Sequence, residues 1–441
     1  MVIRAPESRQ RRAGVALLAL FAVSALAPGC ALIHLKQQRK AMEQWRDVSA
    51  TVRRERPTDA PIVVVLYAGD ARGSQRIVRY DVLLKDGAFH FIVPAGNYHV
   101  LAFEDRNRNF VYDAEPIGYL DNPPSRGERE EDESAAEIFL PAAGGEPPPF
   151  PIDLSWEAEA ALWAHQAKNV GTIVDLDDPR FSAENGSLGL WAPLDFRERV
   201  GGGIFFLAPY DPQKVPVLFI HGLGGTPADW KYLIGRLDLE RFQPWFLYYP
   251  SGVSLEVIAL GASRTITGLH ARLGFENLYV VAHSMGGLVG RSFISQQVGT
   301  GHAHFLKLFV TLSTPWSGHR AAELAPERTR LAPSWEQMRP SSAFIHKLFA
   351  EPLPDHIRYC LLFSHAGNNP LMRGINDGTV TIASELRYAA QDEADAVFGL
   401  EESHVSILQS ARTSVLLNRI LNDGGCQTYR RGAGSNHIVG P

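Results

Sequence analysis

The sequence predicts an α/β domain with a mostly parallel sheet, preceded by a small antiparallel β-sandwich. Three observations carry this. From residue 215 onward, strand-like runs (215–220, 242–249, 277–281, 305–312 and 357–363) alternate with helical patterns (228–237, 255–273 and 285–297). That order puts helices on both faces of a parallel sheet. Earlier, four short runs rich in Val, Ile, Tyr and Phe (62–67, 76–85, 88–93 and 98–104) are parted by the turn signals AGD, KDG and PAGN. They carry no helical period, so they read as short antiparallel strands. Finally, the chain has 441 residues, 45% hydrophobic and 21% charged. At roughly 100–200 residues per domain this suits two or three folded units and excludes a mainly disordered or fibrous chain.

The expected boundaries follow from shifts in texture. Residues 1–29 are a signal peptide, 30–59 a polar tether, helical or extended, and 60–152 the sandwich. Residues 153–213 connect it to the α/β domain at 214–425, and 426–441 form a flexible tail. The connector opens on a Trp/Ala-rich helix over 155–167. Lys and Arg number 43 against 48 Asp and Glu, a formal charge of −5. Such a balance argues against a nucleic-acid partner.

At the N-terminus, Arg4, Arg9, Arg11 and Arg12 precede an apolar run, 14–27, and then Pro28-Gly29-Cys30. Fourteen residues rise about 21 Å as a helix, short of a bilayer core of about 30 Å, which favours an export signal over a permanent span. The stretch ALAPGC resembles a bacterial lipobox. That resemblance implies lipidation at Cys30, membrane attachment through the lipid, and, with Ala31 following, an outer-membrane lipoprotein facing the periplasm or the surface. The other cysteines, Cys360 and Cys426, read as one buried free thiol and one tail thiol, although an oxidising compartment would let them pair.

The chemistry begins at His283-Ser284-Met285-Gly286-Gly287, which follows the strand LYVVA and opens the apolar helix LVGRSFI. Ala-x-Ser-x-Gly, with Ala282 first, is the alanine form of a nucleophile elbow, where small neighbours permit a sharp strand-to-helix turn. Upstream, 217–220 runs into His221-Gly222-Leu223-Gly224-Gly225-Thr226-Pro227. Glycines after a strand let backbone amides turn inward, the material of an oxyanion hole formed by the amides of Leu223 and Met285. His221, Gly222 and Gly224 would shape that loop. No Lys follows the glycines, so a phosphate-binding loop is excluded.

HGLGGTP, VVAHSMGGLVGR, LSTPWSG and NDGTV together resemble the α/β-hydrolase superfamily, in particular its lipase-like members with an AHSMGG elbow. Similar blocks occur in bacterial lipases and in the GPI inositol-deacylase group. The likeness covers about 215–422. For the sandwich there is only a generic likeness to Ig-like or transthyretin-like lipoprotein domains.

A serine hydroxyl needs an imidazole to take its proton, and the imidazole needs a carboxylate to fix its tautomer. The resemblance implies the chain order serine, acid, histidine. His404, in a loop before VSILQSARTSVLLNRI, which reads as an amphipathic helix from residue 405, is the expected base, with His365 the alternative. Asp377, in the turn NDGTV, is the expected acid, with Asp392 and Asp395 the alternatives; Asn-Asp-Gly is also an ordinary turn. Between Ser313 and Asp355, the apolar Trp316, Trp335, Met338, Phe344, Leu348 and Phe349 would either line an acyl pocket or pack the covering helices.

Asp105, Asn107, Asn109 and Asp113 fall at positions 1, 3, 5 and 9 of a calcium-type loop. Phe110 stands where glycine is needed and Pro116 where a bidentate Glu belongs, so the stretch reads as an Asx-rich turn, with calcium left open. The expected function is a serine hydrolase of esterase/lipase type needing no cofactor and no metal and acting on an ester or lipid substrate. An acyltransferase using the same triad is the nearest alternative, and an inactive envelope-binding lipoprotein the next. Protein partners are not legible.

Overall fold

The structure, a computed structural model, describes residues 29–69, 74–121, 136–156, 158, 168–324, 332–370, 372 and 374–426. The expected export segment as far as residue 28, and the 155–167 helix apart from its first residues, lie outside these.

Seven strands build the N-terminal sandwich: β1 (Arg46–Arg54), β2 (Ile62–Gly69), β3 (Gln75–Leu83), β4 (Gly87–Val93), β5 (His99–Glu104), β6 (Ile117–Asp121) and β7 (Glu137–Leu140). They form one sheet ordered β4-β1-β7 and another ordered β3-β2-β5-β6. All pairs are antiparallel except β1 with β7.

The expected tether is corrected here. A helix, α1 (Gly29–Met42), and then β1 occupy it. In β1, the buried Val48, Ala50 and Val52 alternate with Asp47, Ser49, Thr51 and Arg53, so one face meets the core. The polar residues on the other face mask this strand in a reading by composition. Helix α1 docks rather than dangles: Leu35 is buried in the main core, Leu194 N–H donates to the Gln38 side chain at 2.8 Å, and Arg39 pairs with Glu336 at 2.8 Å.

The second body is an eight-stranded sheet. To the expected β10 (Val215–Ile220), β11 (Phe242–Tyr248), β12 (Leu278–His283), β13 (Leu306–Leu312) and β14 (Arg358–Ser364) it adds β8 (Lys168–Ile173), β9 (Gly202–Phe206) and β15 (Ala396–Leu400). The order is β15-β14-β13-β12-β10-β11-β9-β8, and only the β9–β11 pair is antiparallel. This is the α/β-hydrolase fold, as expected. The domain starts earlier than residue 214, because two strands of the supposed connector belong to its sheet. Neither β8 (KNVGTI) nor β9 (GGIFF) carries the longer apolar run of β10 (VPVLFI), β11 (FQPWFLY) or β13 (LKLFVTL).

Alternation along β10 sets the two covered faces. Leu218 and Ile220 join a core with helices α2 (Leu255–Leu273) and α3 (Met285–Gly299), while Val217 and Phe219 join one with α4 (Ala411–Asp423). The helix expected from residue 405 is broken at Ser410, whose side-chain oxygen accepts the N–H groups of Arg412 and Thr413 and caps α4.

Cys360 in β14 is disulfide-bonded to Cys426, with Cα atoms 6.1 Å apart. The expectation of two free thiols is therefore corrected. Cys360 faces the core that α4 covers, and the chain leaving α4 returns to it. Cys426 is fully buried, so the folded domain includes the first residue of the expected tail. Closing a loop of this length contributes about 2–4 kcal/mol.

The two bodies meet along α2. Strand β2 is buried on both faces: Val64 and Leu66 pack inside the sandwich, Val63 and Val65 in a core shared with Ala271 of α2. Arg264 pairs with Asp81 at 3.1 Å, and Arg272 donates to the Leu154 carbonyl at 2.8 Å. Among the described residues, no helix is long and apolar enough to cross a membrane.

Candidate active site

Ser284 sits between the end of β12 and the first residue of α3, at φ 55° and ψ −130°. A positive φ on a non-glycine residue costs about 1–3 kcal/mol and persists only where the surroundings enforce it. The neighbours do so. A Cβ on Gly286 would lie 2.4 Å from the Ile220 carbonyl oxygen and 2.5 Å from that of His221. Only glycine lets α3 start this close to the end of β10. On the other side, Ser284 N–H donates to the Leu312 carbonyl at 2.9 Å.

His404 and Asp377 arrive from two loops beyond β14 and are joined through their backbones, His404 N–H donating to the Asp377 carbonyl at 2.9 Å. Their side chains complete a continuous chain with the serine. His404 Nδ1 lies 2.5 Å from Asp377 Oδ2, and His404 Nε2 lies 2.8 Å from Ser284 Oγ. With the Nδ1 proton directed at the carboxylate, Nε2 is left to accept the serine proton. Asp377 Oδ1 accepts the N–H groups of Thr379 (2.8 Å) and Val380 (2.6 Å), and Oδ2 accepts Ser364 Oγ–H (3.0 Å). Burial alone would raise this carboxyl, but the charge of His404 and these donors hold it below the ordinary aspartate value.

His221 does not reach the serine as a base. Burial lowers it to about 4, so it is neutral; its Nδ1–H donates to the Gly222 carbonyl at 2.8 Å, and its ring stacks on Tyr249 at 4.1 Å. A side chain at Gly222 would meet Ser284 Cβ at 3.0 Å, which sets the Gly222–Gly225 turn directly against the serine. Leu223 lies in that turn, Gly224 N–H donates to Ser251 Oγ at 2.9 Å, and Met285 is the first residue of α3.

Of the alternatives, His365 stands at the end of β14 with its N–H on the Leu400 carbonyl, and Asp395 accepts the Tyr359 N–H at 3.1 Å. Asp392 lies in the short helix Tyr388–Glu393. None of the three enters the chain of hydrogen bonds at Ser284. In the insertion, Trp316, Trp335, Met338, Phe344 and Leu348 are buried in the main core with Phe349 packed against them, which is the packing reading of that segment. In the sandwich, the Asp105 carboxylate accepts the N–H groups of Asn109 and Phe110, both at 3.1 Å, as an Asx-rich turn does. Among the described residues, no three His, Cys, Asp or Glu side chains are grouped to hold a metal.

Several buried polar residues behind the site escape the sequence reading. His283 Nε2–H donates to the His404 carbonyl at 2.8 Å, and His319 Nε2–H donates to the Thr379 carbonyl at 2.7 Å. Burial keeps both neutral, His283 at about 3. Ser313 and Ser364 share a hydrogen bond of 2.6 Å next to Asp377. Glu385 is buried beside them, its Oε2 accepting the Ser364 N–H at 3.1 Å; burial and the charge of Asp377 push its carboxyl well above the ordinary value. The only signal in sequence would have been polar residues ending apolar strands, such as Ser364 after YCLLF.

No protein-family profile and no curated protein matches the chain. By structure it is similar to the mature lipase of Bacillus licheniformis, at 18% identity over 50% of this chain and 97% of that one, with a TM-score of 0.39. It is also similar to lipase B of Aspergillus fumigatus (16% identity, 50% and 56% covered, TM-score 0.39). A metagenomic carboxyl esterase gives 13% identity, 48% and 76% covered, and a TM-score of 0.37.

A buried carboxyl that keeps its proton makes stability fall as pH rises. Above the ordinary glutamate value and below the raised folded one, the folded state holds the extra proton. Glu385→Gln removes that dependence. In thermal melts, the Tm advantage of Glu385→Gln over the unsubstituted chain should grow as pH rises above the ordinary glutamate range. An advantage that shrinks with rising pH would contradict a protonated Glu385.

Proposed function

We propose that this chain is a serine hydrolase of esterase/lipase type, cleaving carboxylic esters, lipid esters among them, through an acyl-enzyme. The observation that carries the reading is the unbroken Asp377–His404–Ser284 hydrogen-bond chain with the serine at a strained elbow.

Ser284 Oγ attacks the ester carbonyl carbon while His404 Nε2 takes the hydroxyl proton, and Asp377 stabilises the imidazolium through Nδ1–H. The carbonyl oxygen becomes an oxyanion, received by the amides of Leu223 and Met285. As the tetrahedral carbon collapses, the C–O bond to the alcohol breaks and the alcohol leaves with the proton from His404. Water then attacks the acyl-serine by the same route in reverse, releasing the carboxylic acid and restoring the hydroxyl. The N-terminus of α3 adds its dipole where negative charge develops. No step calls for a metal or an organic cofactor.

The proposal extends to export and a lipid anchor at Cys30. The Cys360–Cys426 disulfide supports the exported part, since such bonds persist in oxidising compartments. The lipidated part rests on the ALAPGC stretch.

Ser284→Ala, Asp377→Asn and His404→Ala should each lower the turnover of p-nitrophenyl esters by roughly three orders of magnitude or more, with Tm nearly unchanged. Full activity in any one of them would remove that residue from its role. Mass spectrometry of the mature protein should find Cys30 as the first residue carrying a diacylglyceryl mass; an unmodified Cys30 in the membrane fraction contradicts the anchor.

A further inference from the structure

A second carboxyl stands behind Ser284 with Asp377. The short helix Ile382–Glu385, capped by Thr381, ends on Glu385, whose exposure is 1% against 0% for Asp377. The two carboxyl groups lie within hydrogen-bonding reach of each other. Ser364 joins both, its N–H donating to Glu385 Oε2 at 3.1 Å and its Oγ–H to Asp377 Oδ2 at 3.0 Å. With the Ser364 proton committed in this way, Ser313 Oγ–H is the donor in the 2.6 Å contact between the two serines.

Two buried carboxyl groups in contact do not both ionise, so the pair keeps one proton. The hydrogen bonds decide where it sits. Charged Asp377 accepts from His404 Nδ1–H, from the amides of Thr379 and Val380, and from the Ser364 hydroxyl. Glu385 accepts from the Ser364 amide alone among the described residues, and its Oε1 is buried with no donor aimed at it. A charged oxygen left in that state is costly. Once protonated, the carboxyl needs an acceptor for its O–H, and the Asp377 carboxylate is the acceptor in reach.

We propose that Glu385 is a positioning residue of the hydrolase reaction: carrying the proton, it donates to the Asp377 carboxylate and so keeps the Nδ1 proton on His404 and the ring turned to Ser284. The inference rests on the esterase/lipase reading and deepens it. One more donor spreads the Asp377 charge, so the carboxylate competes less for the proton across its 2.5 Å contact with His404. The titratable groups around the pair are His404, which Asp377 holds, and His283 and His319, which burial biases toward neutrality.

The test compares Glu385→Met, which keeps the volume and loses the donor, with Glu385→Gln, which keeps an N–H donor. The readout is the pH profile of p-nitrophenyl ester hydrolysis, whose acid limb follows His404. Glu385→Met should lower kcat at least about tenfold with KM little changed. Its acid limb should move to higher pH, because an unshared Asp377 charge holds the imidazolium more firmly. Glu385→Gln should recover kcat to within about threefold of the parent chain and bring the limb back. A limb moved to lower pH by Glu385→Gln would mean that Glu385 is charged in the parent, and would overturn the proposal. So would a folded Glu385→Gln no more active than Glu385→Met. A folded Glu385→Met that keeps the parent's kcat, or loses kcat with the limb unmoved as lost packing would do, also overturns it. Circular dichroism melts verify folding. Should Glu385→Met not fold, infrared spectra give a second reading: the C=O stretch of a protonated carboxyl, present in the parent chain near neutral pH and missing from Glu385→Gln. No such band in the parent overturns the proposal. The band supports the shared proton even in a chain that a fluorophosphonate leaves unlabelled at Ser284, a result that would sink the hydrolase reading instead.

Discussion

The close approach of α3 to the end of β10 is the constraint on which the site depends. Gly286 faces two carbonyl oxygens, of Ile220 and His221, at a distance no side chain would tolerate. That contact forces the turn before α3 to be sharp, and the sharp turn sets Ser284 at positive φ. The hydroxyl is thereby lifted out of the sheet and held beside the Gly222–Gly225 loop. The parallel register of β10 and β12, pairing Ile220 with Ala282, brings both loops to the same edge.

In the proposed mechanism the serine needs a proton acceptor, and the imidazole within reach of it comes from a different part of the chain. The Asp377 and His404 loops are tied by a backbone hydrogen bond before their side chains meet. Behind them, His283 and His319 grip the backbone at His404 and Thr379, while Ser313, Ser364 and Glu385 surround the carboxylate. Burial lowers both histidines, and burial with the charge of Asp377 raises the Glu385 carboxyl, so each is biased toward its neutral form around Asp377 and His404. Fixed dipoles in a dry site need no reorganisation during reaction.

Much of this was legible in sequence, and the reasons are physical. Strands of β-branched residues ending in glycine-rich turns announce themselves, so β10, β12 and the elbow between β12 and α3 were readable from composition and spacing. What escaped was held by contacts distant in the chain. Strand β1 hides its buried face among charged residues because its partner β4 lies some forty residues away. Strands β8 and β9 are short, polar or glycine-rich, and exist as strands because β11 offers β9 an edge and β9 in turn offers one to β8. The disulfide depends on α4 folding back over β14, which no local pattern encodes. Glu385 and Ser364 stand apart from Asp377 in sequence and meet it only in the fold.

The decisive measurement is the covalent one. Incubating the folded protein with a fluorophosphonate and mapping the adduct by peptide mass spectrometry asks whether the hydroxyl at the elbow is activated. One adduct per chain, on the peptide containing Ser284 and abolished by His404→Ala, is the result this account requires. No adduct on folded protein, or one on another serine with Ser284 untouched, would contradict it.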